Sequence, residues 1–334
     1  MTREMAIPDA VERYLNERRP NVSDSTLYNH SSNLRQFIEW CRAEESRPET
    51  VGDIDQFDLG EFKVDRRDNG DLAPTTVYNQ MSAVRVFLRW CESRGLTENL
   101  AENILMPEIS DGTRDEKLDR EDGKRLLKQL RTYEYASFKH ALFALLWSTG
   151  MRVGAARALD VPDYNSDEMY VEVHHRPDSG TPLKNEEDGE RHVNLHEWVC
   201  VVIDDYLDAH REPVPDNAGR QPLFTTQHGR AHRNTLRKRV VAMTRTCEYS
   251  NGCPFDRNVA DCEATAYSKA SKCPGSVSPH PLRRSAITNF LNDGHSKELV
   301  SDRMDVSVDV LEKHYDARSE GEKRELRREM FEMD

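Results

Sequence analysis

The side chains best suited to chemistry lie in the second half of the chain, in a few short segments. STGMRVGAARALDVPDY (148–164) presents Arg152 directly after a Thr-Gly turn. SPHPLRRSAITNFLNDG (278–294) sets His280 and Arg283 three residues apart, and VSDRMDVSVDVLEKHYD (300–316) ends in Tyr315. A polar turn, GTPLKNEEDGERHVNL (180–195), holds a single lysine, Lys184. A planar guanidinium can grip two phosphate oxygens at once. A tyrosine hydroxyl is a weak nucleophile that must lose its proton before it attacks. Taken singly, each residue has a plain reading. Arg152 could pair with a carboxylate at a helix end, and His280 ahead of Pro281 could cap the next helix. Lys184 could be a solvated charge, and Tyr315 a surface tyrosine beside His314. The ordered conjunction of all five reverses these readings.

That conjunction resembles the tyrosine recombinase (phage-type integrase) family, in particular Xer-like and haloarchaeal members. Thr149-Gly150-Met151-Arg152 is similar to the family's T-G-[LM]-R turn with its first catalytic arginine. His280 and Arg283 fall on its H-x-x-R motif, Tyr315 on its nucleophile, and Lys184 on its hairpin lysine. The resemblance covers roughly residues 120–320. It implies a site-specific recombinase that cuts and rejoins DNA through a covalent 3′-phosphotyrosyl bond. That bond keeps the energy of the cut strand, so religation needs neither ATP nor metal. Positioned guanidiniums suit the reaction, because charge spreads over the phosphoryl oxygens as the bond breaks. By the same resemblance, Lys184 protonates the departing 5′ hydroxyl, and His280 moves a proton or holds a phosphate oxygen.

Two positions depart from the family pattern. Three residues after Arg152, where the family usually has an acid, stands Ala155. Nine residues before Tyr315, where it has His or Trp, often after Gly, stands Val306, which can donate no hydrogen bond. His314 and His295 are candidate substitutes. Val306 also keeps an alternative open: a weakly active or inactive DNA-binding regulator on the same fold. A topoisomerase-like enzyme and a zinc-containing interaction module without a DNA role are further rivals.

These residues must be held by folded elements. STLYNHSSNLRQFIEWC (25–41) predicts a helix capped at Ser25, with Leu27, Ser31, Leu34, Ile38 and Cys41 on one face. TTVYNQMSAVRVFLRWC (75–91) repeats the plan with Val77, Met81, Val84, Leu88 and Cys91, capped by Thr75 or Thr76 after Pro74. The two predict similar helices in one helical domain, residues 1–107, which fits the family's core-binding (SAM-like) domain. A polar linker follows at 108–118. The catalytic domain spans 119–334; FKHALFALLWSTG reads as a buried helix. MYVEVHHR (169–176) and ERHVNL (190–195) predict a small hairpin flanking Lys184. The expected fold is mainly α, with a small antiparallel sheet in an α+β catalytic domain. The C-terminal stripe of Leu326, Met330 and Met333 could pack on its own domain or on a neighbouring protomer.

Cys247, Cys253, Cys262 and Cys273 lie just before the H-x-x-R segment, separated by five, eight and ten residues. Four thiolates could hold a structural Zn²⁺ tetrahedrally, with no open position for catalysis. Such an ion would staple a loop that has few apolar residues of its own. Two disulfides or four free thiols are the alternatives, disulfides being disfavoured in a reducing cytoplasm. Arg257, Lys269 and Lys272 in this insert could reach a DNA backbone. Cys41, Cys91 and Cys200 read as core residues.

Composition alone argues against a polyanion partner. The chain of 334 residues has 60 acidic and 47 basic residues, a net charge of −13, and only 12 of the basic residues are lysine. An acidic, lysine-poor surface resembles proteins of salt-accumulating organisms, where carboxylates keep the protein hydrated. Local arginine clustering then matters more than net charge. No apolar run of membrane-spanning length occurs, and the N-terminus lacks a signal-like stretch, so a soluble cytoplasmic protein is expected. The family resemblance implies double-stranded DNA as partner, with a monomer in solution and a tetramer on synapsed sites.

Overall fold

A computed structural model describes residues 4–109, 116–316 and 318–331. The chain divides into two compact units, Met1–Gly112 and Thr113–Asp334. Part of the expected linker, residues 110–115, lies outside the described residues.

The first unit is helical: α1 (Ile7–Arg18), α2 (Asp24–Cys41), α3 (Gln56–Asp68) and α4 (Pro74–Ser93). The two sequence-similar helices, α2 and α4, pack on each other. All five residues expected on the inner face of α4 are buried. The face of α2 is rotated from the expected one: Leu34, Phe37, Trp40 and Cys41 are buried, while Leu27, Ser31 and Ile38 are only half-buried. Aromatic bulk decides this, since Phe37 and Trp40 both meet Phe62 edge-on, at 5.1 and 5.7 Å between ring centroids. The caps also differ. Ser23, not Ser25, accepts the Thr26 N–H, which starts α2 two residues earlier. Pro74 opens α4 itself, so neither Thr75 nor Thr76 is its cap.

The second unit is built around α6 (Phe138–Thr149), apolar on nearly every side and almost wholly buried. It packs against α5 (Arg120–Tyr133), α8 (Glu197–Ala209), α9 (Arg233–Met243) and α10 (Pro279–Asn292). The short α7 (Val153–Ala158) follows it directly. The expected hairpin is present as β2 (Tyr170–Val173) and β3 (Arg191–Asn194), paired antiparallel with Val171 opposite Val193 and Val173 opposite Arg191. A two-residue strand unseen in the sequence, β1 (Tyr164–Asn165), completes a three-stranded sheet, and β4 (Thr225–Thr226) pairs with β5 (Gly229–Arg230). After α10 come α11 (Lys297–Met304), one turn α12 (Val308–Val310), a π-helical turn Leu311–Tyr315, and α13 (Glu320–Phe331). The stripe of Leu326, Met330 and Met333 falls on side chains outside the described ones.

Cys41, Cys91 and Cys200 are buried, as their apolar settings require. The segment 245–277 is instead a chain of 3₁₀ turns, with Ala264, Ala270 and Val277 its buried apolar residues. All four of its cysteines are half-buried, and they line one small cavity of about 10 Å³. Among the described residues, however, no group of three or more His, Cys, Asp or Glu is placed to hold a metal ion. The arrangement therefore does not support the expected zinc site. The insert's cations are engaged locally: Lys269 and Lys272 pair with Glu263 at 3.4 and 2.7 Å, and Arg257 donates to the Lys272 carbonyl.

Candidate active site

The first arginine is positioned by a helix end. Gly150 closes α6 in the left-handed conformation (φ 61°), and the chain turns so that Arg152 becomes the N-cap residue of α7. A Cβ at Gly150 would come within 2.5 Å of the Met304 sulfur, so α6 and α11 approach closely at this point. The same Gly150 carbonyl accepts from Arg283 Nη1 at 2.9 Å, while Arg283 Nη2 donates to the Met304 carbonyl at 2.6 Å. One guanidinium thus joins the end of α6 to the end of α11.

Arg283 sits in the first turns of α10 and is only 2% exposed. Burial pushes its pKa down to about 10, and Arg152 and Arg191 nearby push the same way. It remains a cation at neutral pH. Its Nε is buried and has no hydrogen-bond partner among the described residues, an expensive state. The guanidinium carbon lies 5.4 Å from the centre of the Tyr315 ring.

Tyr315 ends the π-helical turn and is buried in a small apolar cluster with Ile287, Leu291, Val300, Met304, Val306 and Leu311. The Thr288 hydroxyl donates to its carbonyl at 3.2 Å. The His280 ring, exposed at the start of α10, lies 5.2 Å from the Tyr315 ring. Arg152, His280, Arg283 and Tyr315 are therefore brought together from three distant segments. Lys184 is placed beside them rather than among them. Its side chain is exposed in the turn between β2 and β3, but its neighbour Asn185 donates into the site.

Three further residues belong here that the sequence reading did not single out. Asp305 caps α11 in the left-handed conformation (φ 52°), and its carboxylate accepts from Arg152 and, at 2.6 Å, from Asn185 Nδ2. Arg191, on β3, donates to the carbonyls of Gly189 and Arg303, and its Nη1 lies 3.9 Å from the same carboxylate. The signal for Arg191 was present: strand alternation puts it on the inward face with Val193, an unusual place for a charge. Val306 packs in the apolar cluster and offers no donor, and Ala155 is buried in α7. Of the suggested substitutes, the exposed His295 lies tilted against Phe290, 5.5 Å between ring centres, and the His314 side chain lies outside the described ones.

Residues 116–319 match the phage integrase family, and residues 9–95 match the phage integrase N-terminal SAM-like domain. The chain belongs to the phage integrase family. The matched range spans the positions of Arg152, Lys184, His280, Arg283 and Tyr315. No curated protein matches. Among solved structures, the Tn1549 transposon integrase in complex with a circular intermediate DNA is similar at TM-score 0.71 and 14% identity, over 97% of this chain and 99% of that one. A lambda integrase dimer bound to a COC′ core site is similar at TM-score 0.64 and 12% identity, over 94% and 77%. A lambda integrase tetramer bound to a Holliday junction gives 0.64 and 13%, over 95% and 79%. At these identities the likeness is one of fold: a SAM-like helical domain and a mainly helical catalytic domain with small antiparallel sheets.

Proposed function

We propose that this family member is a site-specific DNA recombinase that cleaves and rejoins duplex DNA through Tyr315. The observation that carries the reading is the convergence of Tyr315 with Arg283, His280 and Arg152 in one place. The Tyr315 oxygen would attack the scissile phosphorus, forming a 3′-phosphotyrosyl bond and releasing the 5′ oxygen. That oxygen would leave with a proton from Lys184, on the flexible stem of an exposed turn beside the site. The phenolic proton would pass to His280 or to water. Arg152 and Arg283 would hold the phosphoryl oxygens as their charge grows, with no metal involved in the chemistry.

The two units, with boundaries near residues 107 and 119, would grip duplex DNA, phosphate contacts supplying most of the affinity and a few base contacts the preference. Strand exchange joins two duplexes, so a tetramer on DNA and a monomer in solution fit the reading. So does a cytoplasmic location: among the described residues no helix is long and apolar enough to cross a membrane. The test is a plasmid carrying two copies of the bound site. Deletion or inversion that depends on Tyr315 supports the recombinase. Relaxation without exchange would favour a topoisomerase-like enzyme instead. Binding without either product would favour the regulator, which Val306 alone recommends.

A structural Zn²⁺ on Cys247, Cys253, Cys262 and Cys273 is a finer proposal: all four line one cavity, although as placed they form no metal-holding group. Metal analysis of the purified protein decides it: one zinc per chain, lost in a Cys253→Ser/Cys262→Ser variant, supports the staple. No bound zinc retires it in favour of free thiols.

A further inference from the structure

The candidate site has a vacancy in its donor set and an unusual anion within it. The vacancy is Val306, which packs among apolar side chains where the family pattern calls for a hydrogen-bond donor. The anion is Asp305, one residue earlier, with a side chain only 12% exposed. Arg152 grips its Oδ2, Asn185 donates to its Oδ1 at 2.6 Å, and Arg191 Nη1 stands 3.9 Å from Oδ2. A carboxylate between two guanidiniums, beside a third at Arg283, marks a place built to hold one negative charge.

Arg191 is well fixed for such a task. It lies on β3 opposite Val173, and its Nε and Nη1 donate to the carbonyls of Arg303 and Gly189 at 3.0 and 2.7 Å. Its side chain is 14% exposed. A donor fixed before the reaction costs no reorganisation when charge develops. Burial lowers the pKa of Arg191, the Asp305 carboxylate opposes that shift, and Arg152 adds to it. Three guanidiniums this close repel one another, and an anion at their centre removes the penalty.

We propose that Arg191 is a further phosphate-binding residue of this site, supplying the donor that Val306 cannot, and that the scissile phosphate takes the place of the Asp305 carboxylate. The proposal rests on the recombinase reading above. The bland role for Arg191 is a tie between β3 and the end of α11, and the two roles differ in their dependence on phosphate charge.

The experiment is single-turnover cleavage of a nicked suicide substrate carrying the bound site, at saturating protein. The ordinary diester is compared with a methylphosphonate at the scissile position, which is neutral. Arg191→Ala is expected to bind DNA nearly as the native chain does and to form adduct on the diester about 10²–10³ times more slowly. On the neutral substrate its adduct should recover toward the native level, because there is less charge to stabilise. Arg191→Lys keeps one charge and serves in the same comparison should the alanine variant fail to fold. A loss of equal size on both substrates, no adduct from either variant on the neutral one, or no loss on the diester overturns the proposal. If the native chain itself forms no adduct on the diester, the recombinase reading is what fails.

Discussion

Arg283 donates to two backbone carbonyls, Gly150 and Met304, from a nearly sealed position above Tyr315. A lysine carries the charge but lacks the planar fork that spans both carbonyls. Arg283→Lys should therefore slow adduct formation by about 10²-fold or more. It should also destabilise the catalytic unit, because a buried acceptor is left unpaired. A gel time course and a urea titration would check the two effects, and a variant with native rate would count against the geometry. At this scale Arg152, His280, Arg283 and Tyr315 were legible because their spacing forms an ordered pattern. Arg191 showed only its inward register beside Val193, and Asp305 showed nothing, since nothing local tells that a strand residue and a helix cap meet across more than a hundred residues.

Among the elements, the turn after α6 matters most for the site. Gly150 carries a positive φ, and a Cβ there would press on Met304. Gly150→Ala should cost about 1–2 kcal/mol from backbone strain alone, and the loss should extend to adduct formation because Arg152 follows the turn. Thermal unfolding alongside cleavage would show whether the two losses travel together. Within α6, His140 is buried, and its Nδ1 accepts from the Ala136 N–H. Burial, with a smaller push from Arg131, holds its pKa down at about 4, below the ordinary 6.5. The unfolded chain then binds the extra proton first as pH falls, so this contribution is whole above about 6.5 and is lost toward about 4. Urea midpoints across that range should fall with pH, and His140→Gln should flatten the fall; an unchanged slope in the variant would contradict it. Helix and hairpin positions were readable from apolar periodicity. The rotation of α2 was not, because periodicity weighs Leu27 and Trp40 alike while packing favours the larger ring. The segment 245–277 gave no period to read, and its 3₁₀ turns have little apolar core.

For the whole molecule, charge is the main tension. A net −13 opposes both compactness and approach to DNA, and salt relieves the first while weakening phosphate contacts. If the acidic surface is an adaptation to high salt, the unfolding temperature should rise between about 0.1 and 2 M KCl. Differential scanning fluorimetry over that series checks it, and a flat or falling curve would remove the halophilic reading. Over the same series DNA affinity should fall linearly on a log–log plot, by about 0.9 per phosphate contacted. The two-unit plan was visible in the sequence as a shift from paired helical segments to a polar stretch. Net charge gave no hint of the DNA-directed family, because it averages away the Arg152, Arg191 and Arg283 cluster.

Tyr315 is expected to form a covalent bond to DNA. A nicked suicide substrate bearing the site recovered by genomic pull-down, incubated with native and Tyr315→Phe protein and run on a denaturing gel, tests it directly. A DNA-linked protein band with the native chain and none with the variant is the predicted result, and it would make Val306 a tolerated departure. Tight binding of the site with no adduct from the native chain would contradict it and leave a DNA-binding regulator on an integrase fold.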